Sequence, residues 1–227
     1  PVIVVDALGI SSAIKSRNSD ELNELSKRLN HQYHKFRAKI PYGFVIVGKN
    51  FVIGTNDFST FRLNDMFIVF SKKKKKDLAL RYLVSSSLLY QTLLIEGFIP
   101  RGGLSFGPII VSKESILGGG FVDAYEMAEE RPAEIKDVCA IRVSPKFISI
   151  MENTERNFRL LYRYRGHFFI NPTTLTDPEM GVFDNKRILE LLLSAGANIE
   201  KMEATKAFLE DGEDYDSARK SYFNPPL

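Results

Sequence analysis

Phe58-Ser-Thr-Phe-Arg-Leu63 and Met66-Phe-Ile-Val-Phe-Ser71, joined by Asn64-Asp65, form the stretch on which the fold turns. Both flanks are rich in aromatic and β-branched residues, and the two residues between them are of turn-forming type. The reading is a β-hairpin with Asp65 at its tip. Upstream, residues 19–39 carry Leu22, Leu25, Leu29, Tyr33, Phe36 and, just beyond, Ile40 at spacings of three and four. That is one face of an amphipathic helix, with Ser19 expected as its N-cap and Asp20 and Glu21 in the first turn. Ahead of it, residues 2–7 are a short apolar run ending at Asp6, which reads as a buried strand. Downstream, residues 77–97 are apolar almost all round and stop at Gly97 before Pro100, the pattern of a buried helix. Residues 103–111 are expected to follow as a strand. Outward from the hairpin the order is therefore β-α-β-β-α-β, a ferredoxin-like α+β arrangement. In that topology the end of the first strand and the hairpin tip lie side by side, so Asp6 and Asp65 are expected to converge.

Strand-like runs at 43–48 and 51–53, a strand near 138–143 and helices near 121–130, 145–153 and 186–195 fill out the body. Residues 1–200 read as the main domain, and 201–227 as a peripheral C-terminal helix and tail. The chain has 227 residues, 44% hydrophobic and 26% charged, so it can bury a full core and is not a disordered or fibrous sequence. No run approaches the roughly 18 apolar residues of a membrane span. Pro1-Val-Ile-Val-Val5 lacks a basic lead-in and reads as a strand rather than a secretory signal. The single cysteine, Cys139, can form neither an internal disulfide nor a Cys-rich zinc site, and a cytoplasmic location is expected.

The net charge of +3 is mild for a nucleic-acid binder. Lys72 to Lys76 is a basic run that serves either as a solvated connector or as a local phosphate or RNA patch. No interleaved aromatic residues accompany it, so nucleic acid is not the expected partner.

Two aspartates at neighbouring strand ends suit hard divalent cations. Mg²⁺ takes oxygen ligands, often one or two carboxylates completed by substrate phosphates. Two such ions about 4 Å apart can activate an attacking oxygen and stabilise a leaving one at phosphorus. Ala7-Leu-Gly-Ile-Ser-Ser12 is a Gly-containing turn whose backbone N–H groups can hold phosphates. Against this, an Asp after a strand also serves as a cap, and Asn-Asp is an ordinary hairpin turn. His31 and His34 fall on a helix surface and His167 beside a strand, with no nucleophile-base arrangement among them. Gly118-Gly-Gly120 lacks the spacing of a P-loop or dinucleotide fingerprint.

Asp6-Ala-Leu-Gly-Ile-Ser11 resembles the first metal-binding strand and turn of class III nucleotidyl cyclases, and the Asp65 hairpin resembles their second metal position. Arg101-Gly-Gly-Leu-Ser-Phe-Gly-Pro108 looks like an Arg-x-Gly-x-x-x-Gly strand of that fold, and Phe121-Val-Asp-Ala-Tyr-Glu126 stands where the family has its catalytic helix. The Asp-x-Leu-Gly start, the Arg-Gly-Gly strand and the Val-Asp-Ala-Tyr-Glu helix are similar, more narrowly, to the bacterial pyrimidine cyclases of Pycsar anti-phage systems. The resemblance covers roughly residues 1–130.

The resemblance implies a homodimer with active sites at the subunit interface. The 3′-hydroxyl of a nucleoside triphosphate would attack its own α-phosphate and release pyrophosphate. Asp6 and Asp65 would hold two Mg²⁺ or Mn²⁺ ions with help from the Ala7 carbonyl. The backbone of Leu8, Gly9, Ile10 and Ser11 would cradle the triphosphate. The base-reading position, four residues before the second metal position, is Lys or Glu in adenylyl and guanylyl cyclases and is Phe61 here. A site without a polar partner discriminates poorly for a purine edge, so a pyrimidine, UTP or CTP, is expected. The other reading of Phe61 is a strand residue packed in the core, with Arg62 facing the opposite way. The family's Asn and Arg fall at about Asp123 and Met127, which leaves the electrostatic role to Arg101 or Arg131, unless Arg101 is a structural ion pair. The alternatives are a catalytically degenerate nucleotide-binding scaffold and a purine (adenylate) cyclase. A diguanylate cyclase would carry a Gly-Gly-Asp/Glu hairpin where Leu63-Asn-Asp-Met66 stands.

Overall fold

The computed structural model describes residues 1–8, 18–42, 44–47, 50–53, 58–63, 65–71, 78–112, 115–152, 160–173 and 183–214. The run Lys72 to Lys76 and residues 215–227 lie outside them.

The first strand, β1 (Val2–Leu8), is central. Val2, Ile3, Val4, Val5 and Ala7 are fully buried, which explains a continuous apolar run instead of an alternating one: both faces of this strand are covered. Helix α1 (Ser19–Tyr42) follows, then a separate ribbon of β2 (Phe44–Val47) and β3 (Asn50–Ile53). The hairpin is β4 (Ser59–Leu63) and β5 (Met66–Phe70), registered Leu63 to Met66 and Phe61 to Ile68, with Asp65 in the turn. Helix α2 (Leu78–Ile95) leads to β6 (Ile99–Ser105). Beyond it lie the short β7 (Ile110–Val111) and β8 (Ile116–Leu117), helix α3 (Gly119–Glu129), a 3₁₀ turn at Ala133–Ile135 and β9 (Ile141–Val143). Helix α4 (Pro145–Glu152), β10 (Leu161–Tyr164), β11 (His167–Ile170), α5 (Asn185–Ser194), α6 (Ile199–Asp211) and β12 (Glu213–Asp214) complete the chain.

The eight-stranded sheet runs β12-β10-β11-β9-β6-β1-β5-β4. Its β6-β1-β5-β4 half is antiparallel throughout and has the ferredoxin-like order expected from the sequence; β9 adds parallel to β6 and extends the sheet. The fold is α+β. One face packs Ile3, Val5, Ala7, Phe67 and Val69 with Leu25 and Leu29 of α1 and much of α2 in the main core. The other carries a smaller cluster of Val2, Val4, Ile68 and Phe70 with Ala124 of α3.

Several local expectations need correction. The N-cap of α1 is Asn18, not Ser19: its Oδ1 accepts from the N–H groups of Asp20 and Glu21, and the Glu21 carboxylate accepts from Asn18 N–H, a reciprocal capping box. The strand expected over 103–111 is Ile99–Ser105, and Ile110–Val111 pairs with Ile116–Leu117 in its own ribbon. The strand near 138–143 begins at Ile141, and the helix after the three glycines begins already at Gly119. The hairpin of β10 and β11 was not expected. The late helix α6 is no peripheral addition, because Thr205, Phe208 and Leu209 are buried and Phe208 meets the rings of Tyr162, Tyr164 and Phe169.

Two glycine features set the geometry around β6. Gly97 adopts φ +79° at the end of α2, where Phe98 N–H bonds Leu93 O and Gly97 N–H bonds Leu94 O, a Schellman stop that turns the chain into the strand. Gly102 and Gly103 then permit close approach on both sides. A Cβ on Gly102 would stand 2.5 Å from Val4 O, and one on Gly103 would land on the Ala124 carbonyl and 2.8 Å from Met127 Cβ. Gly103→Ala should therefore lift α3 from the sheet and cost about 2 kcal/mol in urea denaturation. A loss under 0.5 kcal/mol would show that α3 is not seated on this glycine.

Candidate active site

Period-two alternation along β1 sends Val2, Val4 and Asp6 to the α3 face of the sheet. Directly opposed residues of neighbouring strands share a face, so the register sorts the candidates. Asp6 opposes Met66 on one side and Arg101 on the other. Val4 opposes Ile68, which opposes Phe61. Asp6, Arg101 and Phe61 therefore share the α3 face, whereas Arg62 opposes Phe67 and belongs to the face covered by α1 and α2. Phe61 is half-buried against the smaller apolar cluster, together with Met66 and Phe121.

The hairpin tip closes onto the end of β1, since Ala7 N–H donates to Asp65 O at 3.2 Å. Ala7 itself is buried with its side chain in the main core. Leu8 ends the strand opposite Ile99, and Gly9, Ile10 and Ser11 lie outside the described residues. The structure thus brings Asp6, Ala7, Asp65 and Arg101 to one place and puts Phe61 further along the same face.

Asp6 is 9% exposed. Burial is the main reason its pKa rises from 3.8 to about 7; the charges of Asp65 and Glu129 push it further up, while Arg101 and the Ala7 N–H pull it down. A carboxylate held this close to neutrality by lost solvent and two neighbouring carboxylates is under-compensated. A divalent cation would supply what the surroundings lack. Among the described residues no three acidic, His or Cys side chains gather into a closed cage. The donor set is therefore two carboxylates with backbone oxygens, which fits a hard cation that keeps positions for water or phosphate rather than a fully protein-caged ion.

Arg101 is an ion pair, its Nη2 standing 3.0 Å from Glu129 Oε2 at the end of α3. Its Nε is buried without a partner. Arg131 is excluded from any role toward a ligand. Its guanidinium donates to Met127 O at 3.3 Å, Val138 O at 2.5 Å, Ala140 O at 2.7 Å and Gly102 O at 3.2 Å, which joins α3, β6 and the approach to β9. Burial lowers its pKa to about 9, so it stays charged at neutral pH. Asp123 accepts from Ser105 Oγ at 3.4 Å, and Met127 lies against Gly103. Glu129 was missed by sequence reasoning. It lies 28 positions from Arg101, and no spacing rule connects a strand residue with a helix end at that separation.

His31 and His34 are exposed on α1, and Cys139 is buried, as expected. His167 contacts Glu134 at 3.3 Å and Arg142 at 3.4 Å, away from Asp6 on the far half of the sheet. No helix among the described residues is long and apolar enough to cross a membrane.

No family model and no curated protein matches the chain. Two solved structures align over most of it. The crystal structure of the guanylyl cyclase Cya2 covers 80% of this chain and 94% of its own length, at 13% identity and a TM-score of 0.49. A bacterial light-regulated adenylyl cyclase covers 86% and 96%, at 12% identity and a TM-score of 0.38. At these values the likeness adds nothing to what the strand order says of the fold, and it decides no activity.

Proposed function

We propose that this chain is a nucleotide cyclase that converts a pyrimidine nucleoside triphosphate, UTP or CTP, to its 3′,5′-cyclic monophosphate and pyrophosphate. The observation that carries the reading is the register of β1 with β5, which sets Asp6 against Met66 and ties Ala7 N–H to Asp65 O. The turn that carries Asp65 is thereby held against the end of a buried strand, close enough for its charge to act on the poorly compensated Asp6. Asp6 and Asp65 would hold Mg²⁺ or Mn²⁺, with the Ala7 carbonyl as a further donor and the backbone of Leu8, Gly9, Ile10 and Ser11 against the triphosphate. Bound there, the cations would supply charge neutralisation at the α-phosphate and activation of the attacking 3′-oxygen.

The chain's own residues do the rest. Asp6 and Asp65 would hold the cations, and Arg101 adds positive charge beside them, the position from which it would stabilise developing charge. Phe61, on the same face, presents an apolar ring to the base and no hydrogen bond to a purine edge. The exposed apolar side chains Val122 and Tyr125 of α3, with Leu117 and Ile110 of the adjoining ribbon, fit a homodimer with its sites at the interface. An anti-phage second-messenger role and a cytoplasmic location belong to the same reading. The alternative of a cyclase-fold scaffold without catalysis is favoured by one observation, that no Arg follows Asp123 at one helical turn.

The test is incubation of the purified protein with each of the four ribonucleoside triphosphates and Mn²⁺, with products read by mass spectrometry and the oligomer by light scattering. A cyclic pyrimidine monophosphate from a dimer, lost by at least roughly 10³-fold in Asp65→Ala, is the expected result. Cyclic AMP or GMP would overturn the role given to Phe61, and no product from any of the four would favour the scaffold.

A further inference from the structure

The charges of Asp65 and Glu129 both bear on Asp6 at this end of the sheet, and the Arg101 guanidinium opposes them. Arg101 opposes Asp6 directly in the strand register and shares its face. It nevertheless gives its short contact to Glu129, across the gap on α3, at 3.0 Å. Its buried Nε has no partner, so the guanidinium keeps a donor in reserve. Arg101 is 18% exposed, whereas Glu129, at 34%, stands at the rim of the site. A carboxylate that accepts from a guanidinium offers the same lone pairs that a divalent cation needs. Whichever acid takes Arg101 is therefore withdrawn from metal binding.

We propose that Glu129 is a positioning residue that holds Arg101 off Asp6 and thereby keeps the Asp6 carboxylate open to the metal ion. The proposal rests on the reading of Asp6 and Asp65 as metal ligands. Without the Glu129 charge, Arg101 turns to the carboxylate opposite it and competes with the cation. Glu129 also contributes plain negative charge near the site, and this effect has a different signature: it would weaken cation binding whether or not Arg101 is present.

A double-mutant cycle separates the two effects. Mn²⁺ binding to the metal-free, full-length protein would be followed by the electron paramagnetic resonance of free Mn²⁺, with melting curves to verify folding. Glu129→Gln is expected to weaken Mn²⁺ binding about tenfold in the parent and less than about twofold in an Arg101→Met background. Glu129→Asp keeps the charge but draws it back by one methylene, and should weaken binding only while Arg101 is present. Equal weakening in both backgrounds, or none in either, overturns the proposal. A parent that binds no Mn²⁺, or binds it equally well after Asp6→Asn, overturns the metal reading itself, an outcome distinguishable from the other two.

Discussion

Arg131→Met is expected to lower stability by about 4 kcal/mol, enough to unfold a marginal domain. The guanidinium donates to four carbonyls, one each from α3 and β6 and two from the segment leading into β9, and no other single side chain described here makes so many joins. Methionine preserves most of the volume but leaves those part-buried oxygens short of N–H groups. Ala140 O would retain the Gly102 N–H at 3.3 Å and Val138 O the Ala140 N–H at 3.1 Å, so each keeps one backbone donor and loses its shorter, charge-assisted one. Arg131→Lys should recover less than half, because an ammonium is a point donor and cannot span a fork of carbonyls. Urea denaturation of the three proteins decides the matter. A Met variant within 1 kcal/mol of the parent would mean that the carbonyls find other donors.

Asp6→Asn is expected to make the metal-free protein more stable at pH 8, while removing stabilisation by Mn²⁺ and the chemistry with it. The sign follows from the direction of the shift. An Asp ordinarily titrates near 3.8, and in the folded chain Asp6 holds its proton up to about 7. Below pH 4 both states are protonated and the carboxyl has no effect. Between pH 4 and 7 the unfolded chain releases a proton that the folded chain keeps, so stability falls as pH rises. Above pH 7 the cost is complete, at most about 4 kcal/mol. Asparagine never ionises, so the variant should match the parent near pH 4 and exceed it by ~2 kcal/mol or more at pH 8. Thermal melts across that range, with and without Mn²⁺, give the comparison. Parallel pH profiles for the two proteins would mean that Asp6 is solvated and not poised for a cation.

How legible this protein is from its residues varies along the chain. The hairpin of β4 and β5 is plain because two strongly β-forming runs flank a two-residue turn, and the meeting of Asp6 with Asp65 follows once the strand order is known. β6 is harder to place. Pro100, Gly102 and Gly103 carry the local marks of a turn, and only the close approach of Val4 and α3 makes glycine the fitting residue there. The strands Leu161–Tyr164 and His167–Ile170 are four residues each and meet at Arg165-Gly166, where a non-glycine residue adopts φ +47°. Arginine in that conformation gives little warning of a turn. The Glu129 pairing is invisible for another reason: it depends on the length of α3 and the depth at which Gly103 lets it settle.

The position of β1 has a consequence for the order of events during folding. Val2 opposes Phe70 on one side and Ser105 on the other. A strand that is apolar but for Asp6 must therefore wait for partners some 65 and 100 residues later before either edge is satisfied. Sequence-distant pairing of this kind slows collapse to the native sheet and prolongs the lifetime of sticky intermediates. In a growing polypeptide, Val2-Ile-Val-Val5 would be exposed until β6 has cleared the ribosome, a window in which chaperone capture competes with self-association.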